Sequence, residues 1–290
     1  MRYGIVAIAV VAVLALTMAA QADYVLLRDN LGTGTLDVGG TTYDVTVTPF
    51  DDTSIIYWAG GSTRTFTNYG QDLTMKMGIP GSGEQNAIIG IKNLLSFIPS
   101  GVTITSAKLG LVSDGVGTNK DTMAVHPVTA NWLLDAAGAS EGTGGYDNTT
   151  GTPISNGPSD DYIEGDGDTT KWPGNKAFHS ADPWDTTYGP TGAHWEDTLN
   201  VQNLYDVTDI VEAWDNDLGT LNNYGFVVRN LTGVAKIYAF SSENYVNDVD
   251  STPFLLVEYS TGVIPEPGTM LLLGTGVLGV IGYMRRKRMR

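Results

Sequence analysis

Short runs in which apolar and polar residues alternate recur along the chain between residues 23 and 260. A period of two is typical of strands with one buried face, and Lys108-Leu109-Gly110-Leu111-Val112 follows it closely. Gly, Pro, Asn and Asp separate the runs, which favours turns between short strands over long helices. The pattern predicts strands at Tyr24–Arg28, Tyr43–Thr48, Ser54–Trp58, Leu73–Gly78, Ala87–Ile91, Thr105–Val112, Thr122–Val128, Tyr224–Arg229, Ala235–Ser241 and Phe254–Tyr259.

Two local signals complete the predicted fold. The first two runs flank a glycine-rich stretch with Gly39-Gly40, so we expect them to pair as a hairpin. One segment, Val207–Trp214, repeats its apolar residues at helical spacing, and Asp206 or Thr208 is placed to cap its start. We therefore predict an all-β fold, an antiparallel β-sandwich, with one short helix that closes one end.

Composition sets the number and class of domains. The chain has 290 residues, of which 42% are hydrophobic and 17% charged, so it can bury a sizeable core. It has no cysteine, which excludes disulfides, thiolate zinc sites and cysteine nucleophiles. We see one core-sized apolar block and predict a single domain at residues 23–262. Residues 135–197 are rich in Gly, Asp, Thr, Asn and Pro, and we interpret them as an acidic insertion with short irregular strands.

Negative charge is concentrated in the centre of the chain. All 32 Asp and Glu lie in residues 23–284 together with only ten of the 16 Lys and Arg, which leaves a net charge of −22 there. Such a surface repels phosphate backbones and anionic lipid headgroups. We therefore expect no nucleic-acid partner.

Residues 1–22 have the organisation of a secretory signal peptide. Arg2 precedes an apolar run from Ile5 to Met18, and Ala20 and Ala22 stand in the A-x-A arrangement that signal peptidase accepts. We predict cleavage after Ala22. The alternative is a membrane anchor, which needs about 20 apolar residues, and this run is shorter.

Residues 263–290 combine three features in a fixed order. Pro265-Glu266-Pro267 comes first, an apolar stretch at residues 269–284 follows, and the basic cluster Arg285-Arg286-Lys287-Arg288 comes last. The stretch is short for a bilayer crossing, and the basic residues favour a cytoplasmic end. One interpretation is an ordinary single-pass tail anchor.

The same order of features resembles the PEP-CTERM sorting signal of Gram-negative bacteria. The resemblance implies recognition by an exosortase, a membrane enzyme that removes the tail and releases the protein. It implies transient membrane insertion through residues 269–284, and then a location at the cell surface, the outer membrane or the extracellular polysaccharide matrix.

A second resemblance covers residues 52–259. Short segments occur in the order found in DNRLRE domains: Thr67–Gly70, Leu73–Gly78, Ile98–Leu109, Val125–Val128 with Asn131-Trp132, Tyr205–Trp214, Asn223–Val228, and Phe240–Glu243 with Thr252–Tyr259. The resemblance implies a jelly-roll-like β-sandwich, and some members of that family are carbohydrate-binding modules. Residues 89–97 keep the family's apolar pattern but not its charges, and the acidic insertion is atypical. The resemblance therefore supports the family's fold for this chain more strongly than it supports the family's sugar ligand.

Aromatic residues in and beside the insertion are candidate sugar contacts, because an exposed ring can stack on a pyranose face. The candidates are Trp132, Tyr162, Trp172, Trp184, Tyr188 and Trp195. In the alternative interpretation, Trp132 and Trp195 attach the insertion to the core. Trp58 and Trp214 lie in apolar periodic segments and are predicted core residues.

A cluster of carboxylates in the insertion is a candidate Ca²⁺ site, because Ca²⁺ prefers hard oxygen ligands. Gly165 and Gly167 allow a tight loop around it. The spacing does not match an EF-hand, and the alternative is a solvated acidic loop. The residues are Asp160, Asp161, Glu164, Asp166 and Asp168.

Signatures of catalysis are missing from the sequence. It has no Gly-x-Ser-x-Gly elbow between a predicted strand and a predicted helix and no His-Glu-x-x-His helix, and His126 is predicted to be a strand residue with a satisfied side chain. We expect an exported, non-catalytic protein that contacts polysaccharide through its β-sandwich. The alternatives are a purely structural or adhesive matrix protein and, third, a polysaccharide lyase or hydrolase.

Overall fold

The computed structural model describes residues 23–29, 34–58, 73–78, 83–115, 122–132, 184–216, 221–232, 236–240 and 251–261. An α-helix, α1, at Thr208–Asp215 and a 3₁₀ helix at Leu94–Phe97 lie within these ranges. The strands there are β1 (Asp23–Arg28), β2 (Thr35–Val38), β3 (Thr41–Val47), β4 (Phe50–Trp58), β5 (Thr74–Gly78), β6 (Gly83–Ile91), β7 (Thr103–Val112), β8 (Thr122–Pro127), β9 (Thr191–His194), β10 (Gln202–Asp206), β11 (Phe226–Asn230), β12 (Lys236–Phe240) and β13 (Phe254–Ser260).

The strands form two sheets. One has six strands in the order β10-β7-β13-β1-β3-β2. The other has seven, in the order β12-β5-β6-β11-β8-β9, with β4 paired to β6. The described residues are thus mostly strand, in a sandwich-like arrangement with one short α-helix, which confirms the predicted all-β class.

The chain divides into two compact units. The larger comprises Tyr24–Ser100 and Ile104–Glu258, and it contains the buried side-chain clusters of both sheets. The smaller comprises Met1–Asp23, Gly101–Thr103 and Tyr259–Arg290, of which residues 23, 101–103 and 259–261 are described. The predicted domain limits of 23 and 262 stay predictions.

Both predicted terminal segments lie outside the described residues. This applies to the signal peptide at residues 1–22 and to the apolar stretch at residues 269–284. No helix in the described part of the chain is long and apolar enough to cross a membrane.

The predicted N-terminal hairpin was placed on the wrong pair of strands. Gly39-Gly40 does form a tight turn, but the turn joins β2 to β3, with Val38 opposite Thr41. β1 pairs with β3 in parallel, with Leu26 opposite Val45, so the sandwich is not wholly antiparallel. The reason is that a two-residue turn can only join the strands directly next to it, and the short strand β2 occupies that place.

Pairing lengthens strands beyond their apolar runs. β4 and β6 pair along nine residues, from Phe50 opposite Ile91 to Trp58 opposite Gly83, so both begin earlier than predicted. Three short strands, β2, β9 and β10, were not predicted. Each lies at a sheet edge, where a few polar residues are enough to complete the backbone hydrogen bonds.

Helix α1 lies close to its predicted position and is fixed to β7 at its start. Its apolar face buries Ile210, Val211, Ala213 and Trp214, and Trp214 packs on Phe226 with the ring centroids 4.9 Å apart. Val207 occupies the N-cap position without a side-chain bond. The Asp206 carboxylate accepts from the Thr208 backbone N–H at 3.1 Å, and the Thr208 hydroxyl accepts from the Ala107 N–H at 2.9 Å. Trp214 is therefore a core residue, as predicted, whereas the Trp58 side chain lies outside the described set.

The hairpin β2–β3 forms one end of the six-stranded sheet, and its side chains pack against the central strands β1 and β13. Leu36 and Val38 of β2 form a buried cluster with Leu26, Phe254 and Leu256. The Gln202 side chain on the opposite edge strand, β10, donates to the Asp37 carbonyl oxygen at 2.9 Å, so the hairpin reaches across the sheet. The cluster accounts for the burial of Phe254 and Leu256 on one face of β13, where residues 254–257 are all buried.

Gly110→Ala is expected to lower the free energy of unfolding by about 1–3 kcal/mol, because a Cβ at residue 110 would overlap the Phe254 ring beneath this hairpin. Urea denaturation followed by tryptophan fluorescence measures the change. Adding Phe254→Leu to the same chain should recover part of the loss, since the smaller side chain leaves room. An unchanged midpoint for Gly110→Ala would contradict the close contact between residue 110 and the Phe254 ring.

Tyr205 of β10 carries a buried hydroxyl with no hydrogen-bond partner among the described residues. Removing an unsatisfied buried polar group relieves its desolvation cost. Tyr205→Phe is therefore expected to keep or raise the free energy of unfolding near neutral pH, by up to about 2 kcal/mol, in urea denaturation. A loss of that size would mean that the hydroxyl has a stabilising partner.

The same variant should alter stability at alkaline pH. Burial raises the pKa of Tyr205 far above its usual range, so the unfolded chain loses this proton first. Stability is then complete below the unfolded-state pKa of about 10 and falls as the pH rises above it. The Phe variant should lose less stability than the parent between about pH 9 and about pH 11.

Candidate functional site

The outer face of the seven-stranded sheet is apolar at its centre. Pairing aligns Ile88 with Val227 and Val227 with His126, so these side chains share one face. Three residues after β8 and one residue before β9 bury this face: Val128, Ala130, Trp132 and Trp184. Together with Ile88 and Val227 they form what we call the outer cluster, and Tyr224 packs against it. We call residues 128–132 and 184–190 the covering segments.

Hydrogen bonds hold the second covering segment in place. His126 Nδ1 lies 2.8 Å from the Tyr188 carbonyl oxygen, and because a carbonyl only accepts, this nitrogen donates. The Gly189 N–H donates to the Asp209 carboxylate at 2.8 Å, which connects the segment to α1. Gly189 has a φ of +83°, and an added Cβ would overlap the Val125 carbonyl. His126 is thus a hydrogen-bonded strand residue, as predicted.

Three of the predicted sugar-stacking rings are buried: Trp132, Trp184 and Trp195. Trp132 donates its indole N–H to the Tyr224 carbonyl oxygen. Trp195 is fully buried, with its indole N–H 3.4 Å from the Asp197 carboxylate. These rings do not form an exposed stacking surface, and Trp132 and Trp184 instead pack in the apolar cluster that attaches their segments to the sheet. For Trp132 and Trp195 this agrees with the alternative interpretation given above.

Trp184 has one ring face occupied by a cation. The Arg229 guanidinium carbon lies 4.4 Å from the Trp184 ring centroid, a cation–π distance. Arg229 also forms an ion pair with Glu84 at 3.0 Å. A sugar could stack on this face only by displacing the guanidinium from both partners.

The remaining predicted site residues fall into two groups. Tyr188 is half-buried at the end of a covering segment. Tyr162 and Trp172 lie outside the described residues, as do the five candidate Ca²⁺ ligands at residues 160–168. Within the described ranges, no three His, Asp or Glu side chains are grouped to hold a metal ion.

A shallow pocket opens where the first covering segment meets two loops. Its volume is about 270 Å³. Three chain segments line it: the end of β6 with the turn after it, the first covering segment, and the loop before β11. The lining residues are Ile91, Lys92, Asn93, Asn131, Asn223 and Tyr224. We call this the amide pocket, since three of the six side chains are carboxamides.

The frame of the amide pocket is fixed by hydrogen bonds. Asn223 donates from its side-chain amide to the Ile91 carbonyl at 3.1 Å and accepts from the Gly225 N–H at 3.3 Å. Gly225 has a φ of +87°, and a side chain there would overlap the Ile89 carbonyl, so the loop lies directly on β6. Asn93 has a left-handed φ of 56°, a conformation that asparagine tolerates well.

The charge in the amide pocket is compensated locally. The Lys92 ammonium lies 3.2 Å from the Asp51 carboxylate, and Asp51 itself is buried. Asn131 is half-buried, and its carboxamide forms no hydrogen bond with another described residue. The pocket thus presents neutral groups that can donate and accept hydrogen bonds beside a paired charge.

A pair of tyrosines lies on the six-stranded sheet. Tyr24 and Tyr43 meet edge to face, with centroids 4.9 Å apart and planes at 84°. The Tyr43 hydroxyl donates to the Glu258 carboxylate at 3.1 Å. The Tyr24 hydroxyl accepts from the Asp44 backbone N–H and donates to the Asp44 carboxylate. Burial, and then the hydrogen bond to Glu258, raise the pKa of Tyr43. The perpendicular rings do not form a coplanar stacking surface.

Sequence reasoning missed the amide pocket. Two of its three segments, Asn131-Trp132 and Asn223-Tyr224, belong to the short motifs that carry the resemblance to DNRLRE domains. That was the available signal. Their approach depends on the hydrogen bond from Trp132 to the Tyr224 carbonyl, which joins residues 92 positions apart.

Residues 263–288 match the PEP-CTERM protein-sorting motif. The match confirms the sorting segment predicted from Pro265, Glu266, Pro267 and the basic cluster. The PEP-CTERM motif implies an exported, cell-envelope-associated protein that is processed by an exosortase. It does not extend to residues 52–259, where the resemblance to DNRLRE domains stays a prediction. No curated protein matches the chain.

Trp184→Ala is expected to lower the free energy of unfolding by about 3–5 kcal/mol, since it removes a large buried ring from the outer cluster. Urea denaturation measures the loss. Leu199→Ala is a suitable control, because Leu199 is 58% exposed and should cost little. If Trp184→Ala keeps the parent's stability, the ring does not support the covering segment.

Proposed function

We propose that this is a non-catalytic protein of the cell surface or extracellular matrix that contacts polysaccharide through its β-sandwich. The PEP-CTERM motif carries the proposal, because it directs the chain to the cell envelope, where polysaccharide is an abundant partner. As part of the same proposal, the β-sandwich is a DNRLRE-like jelly roll. Signal-peptidase cleavage after Ala22 and transient insertion of residues 269–284 also belong to it.

The chemistry of the described surface supports a hydroxyl-rich partner. Carboxamides both donate and accept hydrogen bonds, as sugar hydroxyls do, and two of those in the amide pocket, Asn93 and Asn131, form no side-chain hydrogen bond with another described residue. The net charge of −22 in residues 23–284 disfavours nucleic acid and anionic lipid surfaces. A non-catalytic role is supported by His126, which is 2% exposed and holds a covering segment through the Tyr188 carbonyl.

A second candidate is a purely structural or adhesive matrix protein. The burial of Trp132, Trp184 and Trp195 favours it, because rings that hold the fold together are not available for stacking. This candidate differs from the first in one measurable respect, which is the absence of saturable binding to any glycan.

Purified protein is expected to bind at least one polysaccharide saturably in a glycan array and in calorimetric titration. The screen should include neutral and uronic-acid polymers and the producing cell's own matrix, each with and without Ca²⁺. Glycan binding and stability are then compared for Trp172→Ala and Trp184→Ala. Loss of a ring that stacks on sugar should reduce binding, whereas loss of a structural ring should reduce stability. Loss of binding with intact folding in the first variant would support a stacking role for Trp172.

No binding to any polymer by a folded protein would overturn the proposal in favour of the structural candidate. The candidate Ca²⁺ site is tested by the same samples. If Ca²⁺ orders the acidic loop, chelation should lower the melting temperature, and an unchanged melt would exclude that role.

A further inference from the structure

We infer that the amide pocket is a binding site for one neutral sugar ring of a polysaccharide. The inference rests on the proposed function and adds both a location and a ligand class to it. It comes from three observations: a pre-formed concave site, converging neutral hydrogen-bonding groups, and a lysine whose charge is already compensated.

Hydrogen bonds within the protein hold the walls of the amide pocket. Asn223 is held by two hydrogen bonds, and the Tyr224 carbonyl accepts from Trp132, which is 1% exposed. At the other wall, the Asn93 carbonyl accepts from the Ser96 N–H at 2.8 Å and from its hydroxyl at 2.7 Å. Walls that are already ordered lower the entropic cost of binding.

The groups left to contact a ligand are neutral. Asn131 and Asn93 present carboxamides that form no side-chain hydrogen bond with another described residue, so they retain their capacity to donate and accept. Tyr224 adds a half-buried ring packed against the outer cluster. A pyranose has apolar C–H faces and hydroxyls around its edge. An aromatic ring can contact a face while neighbouring carboxamides bind the hydroxyls.

The electrostatics favour a neutral sugar over a uronate. A carboxylate entering the pocket would meet Lys92, but the ammonium is already 3.2 Å from Asp51. The anion would therefore interact with a pair of zero net charge in the field of a strongly acidic domain. The volume of about 270 Å³ suits a single ring and not a longer segment of chain.

The test is calorimetric titration of the purified protein with cellohexaose, maltohexaose, xylohexaose and mannohexaose, and with hexagalacturonate as the anionic probe. Asn131→Asp keeps the side-chain shape but replaces the two N–H donors with acceptors. It should weaken binding of the neutral oligosaccharide by about tenfold or more. Asn222→Asp is the matched control, since it adds the same charge at an exposed neighbouring position and should leave binding unchanged.

A second variant guards against misfolding. Asn93→Gly removes a carboxamide at a left-handed position that glycine adopts readily, so the fold should persist and binding should weaken. If a neutral glycan binds and both variants match the parent, the pocket is not the site, although the proposed function stands. Binding of hexagalacturonate alone overturns the ligand class, and no binding to any glycan overturns both proposals.

Discussion

The apolar outer face of the seven-stranded sheet is the constraint on which the candidate site depends. Ile88 and Val227 lie at the centre of that face, and leaving such side chains in water costs about 1.5–3 kcal/mol each. The covering segments bury them with Trp132 and Trp184. Because the Trp132 indole must then satisfy its N–H, it binds the Tyr224 carbonyl and brings the loop before β11 against the first covering segment. The amide pocket is the space left where these segments meet β6.

In the six-stranded sheet, the hairpin β2–β3 at one end packs its apolar side chains against the central strands. Leu36 and Val38 lie over Leu26, Phe254 and Leu256, and Gly110 leaves the room that the Phe254 ring needs. Each sheet thus has a local apolar cluster that segments beyond its central strands help to bury. The consequence is that large aromatic residues such as Trp132, Trp184 and Phe254 are buried in these clusters, and polar loop residues remain nearer the surface.

Part of the fold could be predicted from the chain alone, and the reason differs from element to element. β7, β11 and β13 combine alternating or continuous apolar runs with turn residues, and α1 repeats its apolar residues at helical spacing. These patterns report local burial, which is a property of neighbouring residues. β2, β9 and β10 have too few apolar residues to form such a pattern, and they are strands because longer partners complete their hydrogen bonds. The tryptophans show the same limit of sequence-based prediction. The residues next to a tryptophan in a polar segment do not reveal whether its indole is exposed or buried.

The sequence by itself determined the all-β class, the acidic charge and the sorting tail, because each depends on composition or on residues that are adjacent along the chain. The PEP-CTERM motif is the clearest case, since three features follow one another in residues 263–288. Only the tertiary structure decided that β1 and β3 run parallel, that Trp132, Trp184 and Trp195 are structural contacts, and that Lys92, Asn131 and Asn223 share a pocket. Those outcomes depend on which distant segments cover which sheet face, and that choice is made by the packing of the whole sandwich.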